Sequence, residues 1–168
     1  MILSKLFKSG TSFQGFLNKD KDINRQRTLE TYDNIVLEED IIEKIKGIDV
    51  QVFILVFAEI WCPDCMINVP ALQKMRDINP NIQISILSRE DNESYIEAYK
   101  FGDKIKIPTF IIFDADYNEK GVFVEYPQTV KDIVAKGNEL EITVARRKYK
   151  KGEYIADTIL EILDIIHR

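Results

Sequence analysis

Two cysteines stand two residues apart in the segment Trp61-Cys62-Pro63-Asp64-Cys65, directly behind the apolar run 50–58. They are the only cysteines among the 168 residues of the chain. A thiol reacts as its thiolate, and the unpaired N–H groups and dipole at a helix N-terminus stabilise that negative charge. Two intervening residues also allow the second sulfur to attack a mixed disulfide formed at the first. The spacing therefore predicts dithiol–disulfide exchange by Cys62 and Cys65.

A cysteine pair of this spacing also occurs in zinc sites, but the rest of the chain does not favour one. Tetrahedral zinc needs four ligands, and His167 is the only histidine. The segment 114–118 resembles part of a calcium loop, but Glu119 stands where that loop requires glycine. We therefore expect no metal, and no cofactor beyond a reversible disulfide between Cys62 and Cys65.

Composition and charge limit the classes of partner. The chain has 23 lysines and arginines against 28 acidic residues, so its net charge of −5 provides no basic field for nucleic acid. No apolar run approaches the roughly 20 residues that span a bilayer, and Lys5 and Lys8 interrupt the first apolar stretch. We expect a cytoplasmic protein without nucleic-acid or membrane partners, whose cysteines rest as dithiols and act catalytically.

The pattern of apolar residues predicts the elements that position the cysteines. Residues 51–58 are too continuously apolar for a half-exposed strand, which predicts a central strand. Helical spacing of apolar residues after the cysteines predicts a helix that ends at Asn79-Pro80. The other predicted elements are a short helix over 38–46, a strand over 82–87, a helical stretch over 92–101, a strand over 108–113 with a hairpin partner over 121–126, a helix over about 128–150, and a final helix over 154–166.

This order of elements predicts an α/β fold in which helices flank both faces of a central mixed sheet. We divide the chain into an N-terminal extension, residues 1–34, and a domain, residues 35–168. Within that domain, residues 127–152 form an enlarged helical part before the last helix.

Two local motifs accompany this order. The first is the strand that leads into residues 61–65, and the second is Lys106-Ile107-Pro108-Thr109-Phe110. Together they resemble the thioredoxin superfamily, whose Ile-Pro-Thr strand contains a cis-proline at a similar separation from the second cysteine. The resemblance covers about residues 35–126 and the last helix. The sequence Cys-Pro-Asp-Cys is also similar to that of the fourteen-kilodalton thioredoxin-related proteins.

The resemblance implies roles for the site residues. Cys62 is implied to be the exposed attacking nucleophile, and Cys65 the buried resolving thiol. Pro108 is implied to be the cis-proline that faces the disulfide, which leaves the backbone of Ile107 free to pair with a substrate chain. Trp61 is implied to flank the site as an apolar shoulder.

The chain departs from the family pattern at the group that moves the proton of the resolving thiol. The buried aspartate of the family falls at Val56, which cannot ionise. Glu59 can reach the cysteines only if the strand has ended before it, because three residues along a strand change the face. Proton transfer from Cys65 therefore falls to water, to Asp64 or to Glu59. We count both acids, with Pro63, as support for the active site.

These inferences predict a thiol–disulfide oxidoreductase, most simply a disulfide reductase that serves cell redox homeostasis. Its substrate would be a protein or small-molecule disulfide, and its electron donor a thioredoxin reductase or a low-molecular-weight thiol. The alternative is a redox-responsive binding module, in which the state of Cys62 and Cys65 changes a partner contact without turnover. A glutaredoxin-like use of glutathione is less favoured, because residues 114–118 are acidic where that family has a glycine pair.

Overall fold

The computed structural model describes residues 2–168 and is built around a four-stranded sheet in the order β2-β1-β3-β4. Strand β1 (Val52–Phe57) pairs in parallel with β2 (Ile82–Leu87) and antiparallel with β3 (Thr109–Phe113). Strand β3 forms an antiparallel hairpin with β4 (Glu119–Val124). The mixed sheet and the predicted α/β fold are confirmed.

Helices flank this sheet and supply much of its apolar cover. They are α1 (Ile2–Ser9), α2 (Phe13–Leu17), α3 (Ile23–Asn34), α4 (Glu39–Lys46), α5 (Pro63–Ile78), α6 (Glu93–Ile96), α7 (Gln128–Ala135), α8 (Glu139–Lys150) and α9 (Ile155–Ile166). The predicted helices over 38–46, after the cysteines and over 154–166 are confirmed as α4, α5 and α9. None of the described helices is both long enough and apolar enough to cross a membrane.

The central position of β1 explains its composition. Residues 54–57 are completely buried between two neighbouring strands and the helices that cover the sheet. A strand with no face toward water can carry apolar residues almost without interruption. This strand ends at Phe57, and the chain then leads directly to the two cysteines.

The N-terminal segment contains three helices, α1 to α3, that the sequence analysis did not predict. Residue Thr11 pairs antiparallel with Ile86, and so extends the sheet beyond the edge of β2. Glycine fits best beside it, because a Cβ atom on Gly10 would lie 2.0 Å from Ser85 Oγ and 3.0 Å from the backbone carbonyl oxygen of Ile86. Helix α3 packs on α5, and the hydroxyl of Tyr32 donates a hydrogen bond to the carboxylate of Asp77.

Two predicted helical stretches are divided in the structure. The helix predicted over 128–150 is wrong as a single element, since α7 and α8 are separated at Gly137 and Asn138. Gly137 has φ +75°, and Asn138 Oδ1 accepts hydrogen bonds from the first N–H groups of α8. A left-handed glycine ends a helix and an asparagine N-cap begins another. The stretch predicted over 92–101 consists of α6 and 3₁₀ turns on either side.

Candidate active site

The two cysteines lie at the start of α5. Cys62 is the N-cap residue, with extended backbone angles, and its carbonyl oxygen accepts a hydrogen bond from Met66 N at 3.1 Å. Pro63 occupies the first position of the helix, where a residue without an N–H group leaves no bond unmade. Cys65 lies inside the first turn and is completely buried. Both thiols are free, so the structure describes the dithiol form.

Cys62 is more buried than the resemblance implied. Its side chain points at the loop before β3, where its Sγ atom lies 3.7 Å from the carbonyl oxygen of Ile107. Cys62 is only 6% exposed, which corrects the expectation of an exposed nucleophile. The peptide bond between Ile107 and Pro108 is cis, as expected. Trp61, which precedes Cys62 in the chain, is 51% exposed, and its role as an apolar shoulder stays a prediction.

The surroundings of the two sulfurs separate their acidities. The hydrogen bond from the Cys65 thiol, together with N–H groups of α5, lowers the pKa of Cys62 below its ordinary value, against the effects of burial and of the Asp64 charge. Burial raises the pKa of Cys65 well above its ordinary value, and the hydrogen bond and charge of Cys62 add to that increase. Cys62 is therefore the thiol that ionises first, and Cys65 keeps its proton.

A buried amide holds the helix of the cysteines to the rest of the site. Asn68, completely buried in α5, has its Nδ2 atom 2.8 Å from Tyr149 Oη and 3.0 Å from the carbonyl oxygen of Glu125. The same nitrogen lies 3.1 Å from the carbonyl oxygen of Asp64. Its Oδ1 atom accepts a hydrogen bond of 2.8 Å from Thr158 Oγ1. One side chain thus joins α5 to α8, to α9 and to the end of β4.

Glu125 connects this amide to the cis-proline loop. Its backbone N–H donates to the carbonyl oxygen of Pro108 at 2.7 Å, and its own carbonyl oxygen accepts from Asn68. Its carboxylate accepts from Lys106 Nζ at 3.3 Å. Glu125 has φ +67°, a conformation that residues other than glycine adopt rarely and at a cost. These three contacts compensate for that backbone conformation and fix the loop that faces Cys62.

Asp64, between the two cysteines, takes part in the same cluster. Its Oδ1 atom accepts a hydrogen bond of 2.9 Å from Tyr149 Oη. Burial raises the pKa of Asp64, the Tyr149 hydrogen bond opposes that increase, and the charges of Glu125 and Lys106 act in opposite directions. The carboxyl group is therefore held by the protein rather than fully solvated at the helix surface.

Glu59, the other acid near the cysteines, has a different set of contacts. Strand β1 has ended two residues earlier, and the side chain turns toward the segment that follows β2. Its Oε1 atom accepts from Ser88 Oγ at 2.6 Å and from Glu90 N at 3.3 Å, and the residue is 6% exposed. The carboxylate of Glu59 thus fastens a loop, and Asp64 is the acid that belongs to the cluster behind the sulfurs.

A groove of about 780 Å³ lies next to the site, and Pro63 is one of its lining residues. Met66 and Ile67 of α5 line it, together with Arg27, Glu30 and Thr31 of α3, residues 34–37, residues 150–153, Ile155 and Ala156. Val36 at this groove is 92% exposed. Next to Pro63, the groove therefore combines exposed apolar surface at Val36 with charged side chains from α3 and from residues 150–153.

The sequence analysis identified the sulfurs, Asp64 and the cis-proline loop, which the structure brings together, but it missed the cluster that supports them. Asn68 gave a signal, since it is a polar residue on a helix face whose neighbours Cys65 and Leu72 are apolar and buried. Tyr149 gave none, because it follows Asp64 by 85 positions. Within residues 2–168, no group of three or more acidic, histidine or cysteine side chains is arranged to hold a metal ion.

Comparisons with known proteins support the fold and identify the family. The family model described as thioredoxin matches residues 10–145. A crystal structure of a protein of unknown function from Pseudomonas aeruginosa is similar, with a TM-score of 0.87 and 29% identity over 98% of this chain and 96% of that chain. An HIV epitope scaffold is similar with a TM-score of 0.85, at the same identity and coverage. No match was found among curated proteins. This chain belongs to the thioredoxin family.

Proposed function

We propose that this protein is a cytoplasmic thiol–disulfide oxidoreductase that acts as a disulfide reductase. The proposal rests on one observation: the Cys62 sulfur lies at the N-cap of α5 and faces the Ile107 carbonyl oxygen at 3.7 Å, with the Cys65 thiol buried behind it. This arrangement combines a thiol of lowered pKa with a neighbouring stretch of backbone on which a substrate chain can pair.

The proposed reaction has two exchange steps. The Cys62 thiolate attacks one sulfur of the substrate disulfide and forms a mixed disulfide, while the other substrate sulfur leaves as a thiolate and is protonated by water. Cys65 then loses its proton and attacks Cys62 Sγ, which releases the second substrate thiol. The substrate gains two electrons, and the protein is left with a disulfide between Cys62 and Cys65.

The second step needs an acceptor for the proton of Cys65, because burial raises the pKa of that thiol. Of the two acids named from the sequence, Asp64 lies in the cluster behind the sulfurs and has a raised pKa. The carboxylate of Glu59 is bonded to Ser88 and to the backbone of Glu90. We therefore assign the proton to Asp64 or to water rather than to Glu59.

An external donor must return two electrons to the disulfide, and a thioredoxin reductase or a low-molecular-weight thiol would supply them. The two sulfurs themselves store the electrons, so the proposed reaction uses no further cofactor. The groove beside Pro63 supports a protein substrate, because an extended chain bound at Cys62 has both apolar and charged side chains within reach there. A cytoplasmic setting fits this direction of transfer, since that compartment keeps thiols reduced.

Reduction of insulin by catalytic amounts of the protein, with dithiothreitol as donor, tests the proposal. We expect many turnovers for the native chain and none for Cys62→Ser. One equivalent of reduced insulin followed by no further reaction would contradict the proposal and favour the redox-responsive binding module.

A second experiment identifies the substrate. In Cys65→Ser the mixed disulfide on Cys62 cannot be resolved, so a natural partner stays covalently attached. We expect disulfide-linked adducts that form with Cys65→Ser, disappear on reduction and do not form with the double variant Cys62→Ser, Cys65→Ser.

A further inference from the structure

A chain of three hydrogen bonds ends on the carboxyl group between the cysteines. Thr158 Oγ1 lies 2.8 Å from Asn68 Oδ1, and Asn68 Nδ2 lies 2.8 Å from Tyr149 Oη. Tyr149 Oη in turn lies 2.9 Å from Asp64 Oδ1. Thr158 and Asn68 are completely buried and Tyr149 is 7% exposed, so these polar atoms depend on one another rather than on bulk water.

The direction of this chain is fixed by its surroundings. The backbone carbonyl oxygens of Asp64 and Glu125 lie 3.1 and 3.0 Å from Asn68 Nδ2, and a carbonyl oxygen can only accept a hydrogen bond. The NH₂ group of Asn68 must therefore face them, which leaves its oxygen for the hydroxyl of Thr158. The two hydrogens of this NH₂ group are shared among three acceptors, the third being Tyr149 Oη. An amide nitrogen cannot accept a hydrogen bond, so the hydroxyl of Tyr149 directs its hydrogen at Asp64 Oδ1.

The hydroxyl of Tyr149 keeps this hydrogen throughout the range in which thiols titrate. Burial, together with the charge of Asp64, raises the pKa of Tyr149. Its ring is held by α8 and by an edge-to-face contact with Tyr126, with ring centroids 5.8 Å apart. The donor is thus both protonated and fixed in place.

We propose that Tyr149 is a positioning residue of the dithiol centre: its directed O–H group holds Asp64 as an oriented carboxylate and sets the field that Asp64 exerts on the two sulfurs. This inference deepens the proposed function and rests on it for its catalytic meaning. It assigns a task to α8, which lies in the region that the sequence analysis could only describe as an enlarged helical part.

Several ionisable groups surround Asp64, and their charges influence its pKa together with the Tyr149 hydrogen bond. They are Cys62 and Cys65 on α5, Lys106 before β3, Glu125 and Tyr126 after β4, and Tyr149 on α8. A hydrogen bond donated to a carboxylate favours its charged form, and it offsets part of the negative charge that a neighbouring thiolate experiences. Without the donor, Asp64 takes up a proton more readily, and while it remains ionised it opposes the Cys62 thiolate more strongly.

Titration of the Asp64 carboxyl carbon by NMR in the reduced protein tests this directly. We expect Tyr149→Phe, which keeps the ring and removes the O–H group, to shift the titration of Asp64 to higher pH. Alkylation of Cys62 by iodoacetamide should then require higher pH than in the native protein. Tyr126→Phe is the matched control: it removes a neighbouring hydroxyl that donates no hydrogen bond to Asp64, and should leave both profiles unchanged.

The Asp64→Asn background separates a positioning role from a merely structural one. The double variant Asp64→Asn, Tyr149→Phe should show the same pH profile of Cys62 alkylation as the single variant Asp64→Asn. An unchanged Asp64 titration in Tyr149→Phe overturns the proposal. An equal change in the Cys62 profile with and without Asp64 overturns it as well, because the effect would then not pass through the carboxylate.

A second variant keeps the test valid if Tyr149→Phe does not fold. Replacing Tyr149 by 3-fluorotyrosine keeps the hydroxyl and makes it a stronger donor, so the Asp64 titration should shift to lower pH, and no shift overturns the proposal. These measurements need no turnover. A protein that fails to reduce insulin but shows the expected shifts contradicts the reductase assignment alone.

Discussion

The two ends of α5 are each fastened by a buried asparagine, but only one of these residues is connected to an ionisable group. Asn79, at the C-terminal end, donates to the carbonyl oxygens of Ile45 and Ile48 at 2.8 Å each. Asn68, toward the N-terminal end, also bonds to carbonyl oxygens, but continues through Tyr149 to the carboxyl group of Asp64. A buried asparagine thus has only backbone partners at one end of α5, and at the other end it is connected to the carboxyl group between the two cysteines.

This difference separates stability from reactivity within one helix. Both asparagines satisfy buried backbone acceptors, so the loss of either leaves polar groups without partners. Only the loss of Asn68 also alters the donor to Asp64. Paired variants at the two ends can therefore show which properties of the dithiol centre depend on its own polar cluster and which depend on the helix as a whole.

The largest expected effect is a loss of stability at both ends. We expect Asn68→Ala and Asn79→Ala each to lower the free energy of unfolding by roughly 2–4 kcal/mol, because each stranded buried group costs about 1–3 kcal/mol. Urea denaturation of the reduced proteins measures this. A redox titration against glutathione should show a changed reduction potential for Asn68→Ala alone. An equal change of the reduction potential in Asn79→Ala would contradict the proposed difference between the two ends of α5.

The next effect concerns the charge of Asp64. Asparagine at this position can still accept the hydrogen bond from Tyr149, so Asp64→Asn removes the charge and little else. We expect a lower pKa for Cys62 and a reduction potential raised by roughly 20–40 mV, taking about 1–2 kcal/mol for a neighbouring charge and 1.4 kcal/mol for each 30 mV. The same glutathione titration measures it. An unchanged or more negative potential would mean that Asp64 only supports the helix start.

The dependence of stability on pH sharpens the comparison further. The lowered pKa of Cys62 means that, between that pKa and about 8.5, the unfolded chain binds more protons than the native one, so stability rises with pH. The raised pKa of Cys65 has the opposite effect above about 8.5, where stability falls with pH. Denaturation of the reduced protein at a series of pH values should show both limbs.

Single substitutions show which cysteine causes the rise and which causes the fall of stability with pH. Cys62→Ser should remove the rise and Cys65→Ser the fall, whereas Asn79→Ala should lower the whole curve without changing its shape. A curve in Asn79→Ala that loses either limb would show that the far end of the helix also controls the sulfurs.

The smallest effect is expected at Glu59. Glutamine can still accept hydrogen bonds from Ser88 and from the backbone of Glu90, so Glu59→Gln should cost no more than about 1 kcal/mol of stability. The reduction potential and the alkylation rate of Cys62 should stay at their native values. A slower release of the mixed disulfide in this variant, seen by stopped-flow with a chromogenic disulfide, would return Glu59 to the list of proton acceptors for Cys65.

Local patterns predicted the elements that present the sulfurs. A continuous apolar run predicted β1, and the helical spacing of apolar residues predicted α4, α5 and α9. Each of these signals depends on neighbours within a few positions. The break at Gly137 and Asn138 was also visible in the sequence as a glycine followed by a capping residue, and it was overlooked.

The supporting cluster could not be predicted in the same way. Its members are polar residues whose partners lie far along the chain, and a single tyrosine in a charged helix has no pattern that points to Asp64. The burial of Cys62 likewise depends on how closely the loop at Ile107 approaches, which is a property of packing. The sequence therefore predicted the positions of the two sulfurs, whereas their surroundings depend on the folded chain.

The hydrogen bonds of the cluster join residues that are 57, 81, 85 and 90 positions apart. Closing such long loops costs chain entropy that only later contacts repay, so pairings of this kind tend to form late in folding. The pair of cysteines, by contrast, is complete as soon as the first turn of α5 exists. A partly folded chain would therefore bring the two thiols together before Tyr149 reaches Asp64. The reduction potential of the native protein would then be reached only after α8 and α9 have packed onto α5.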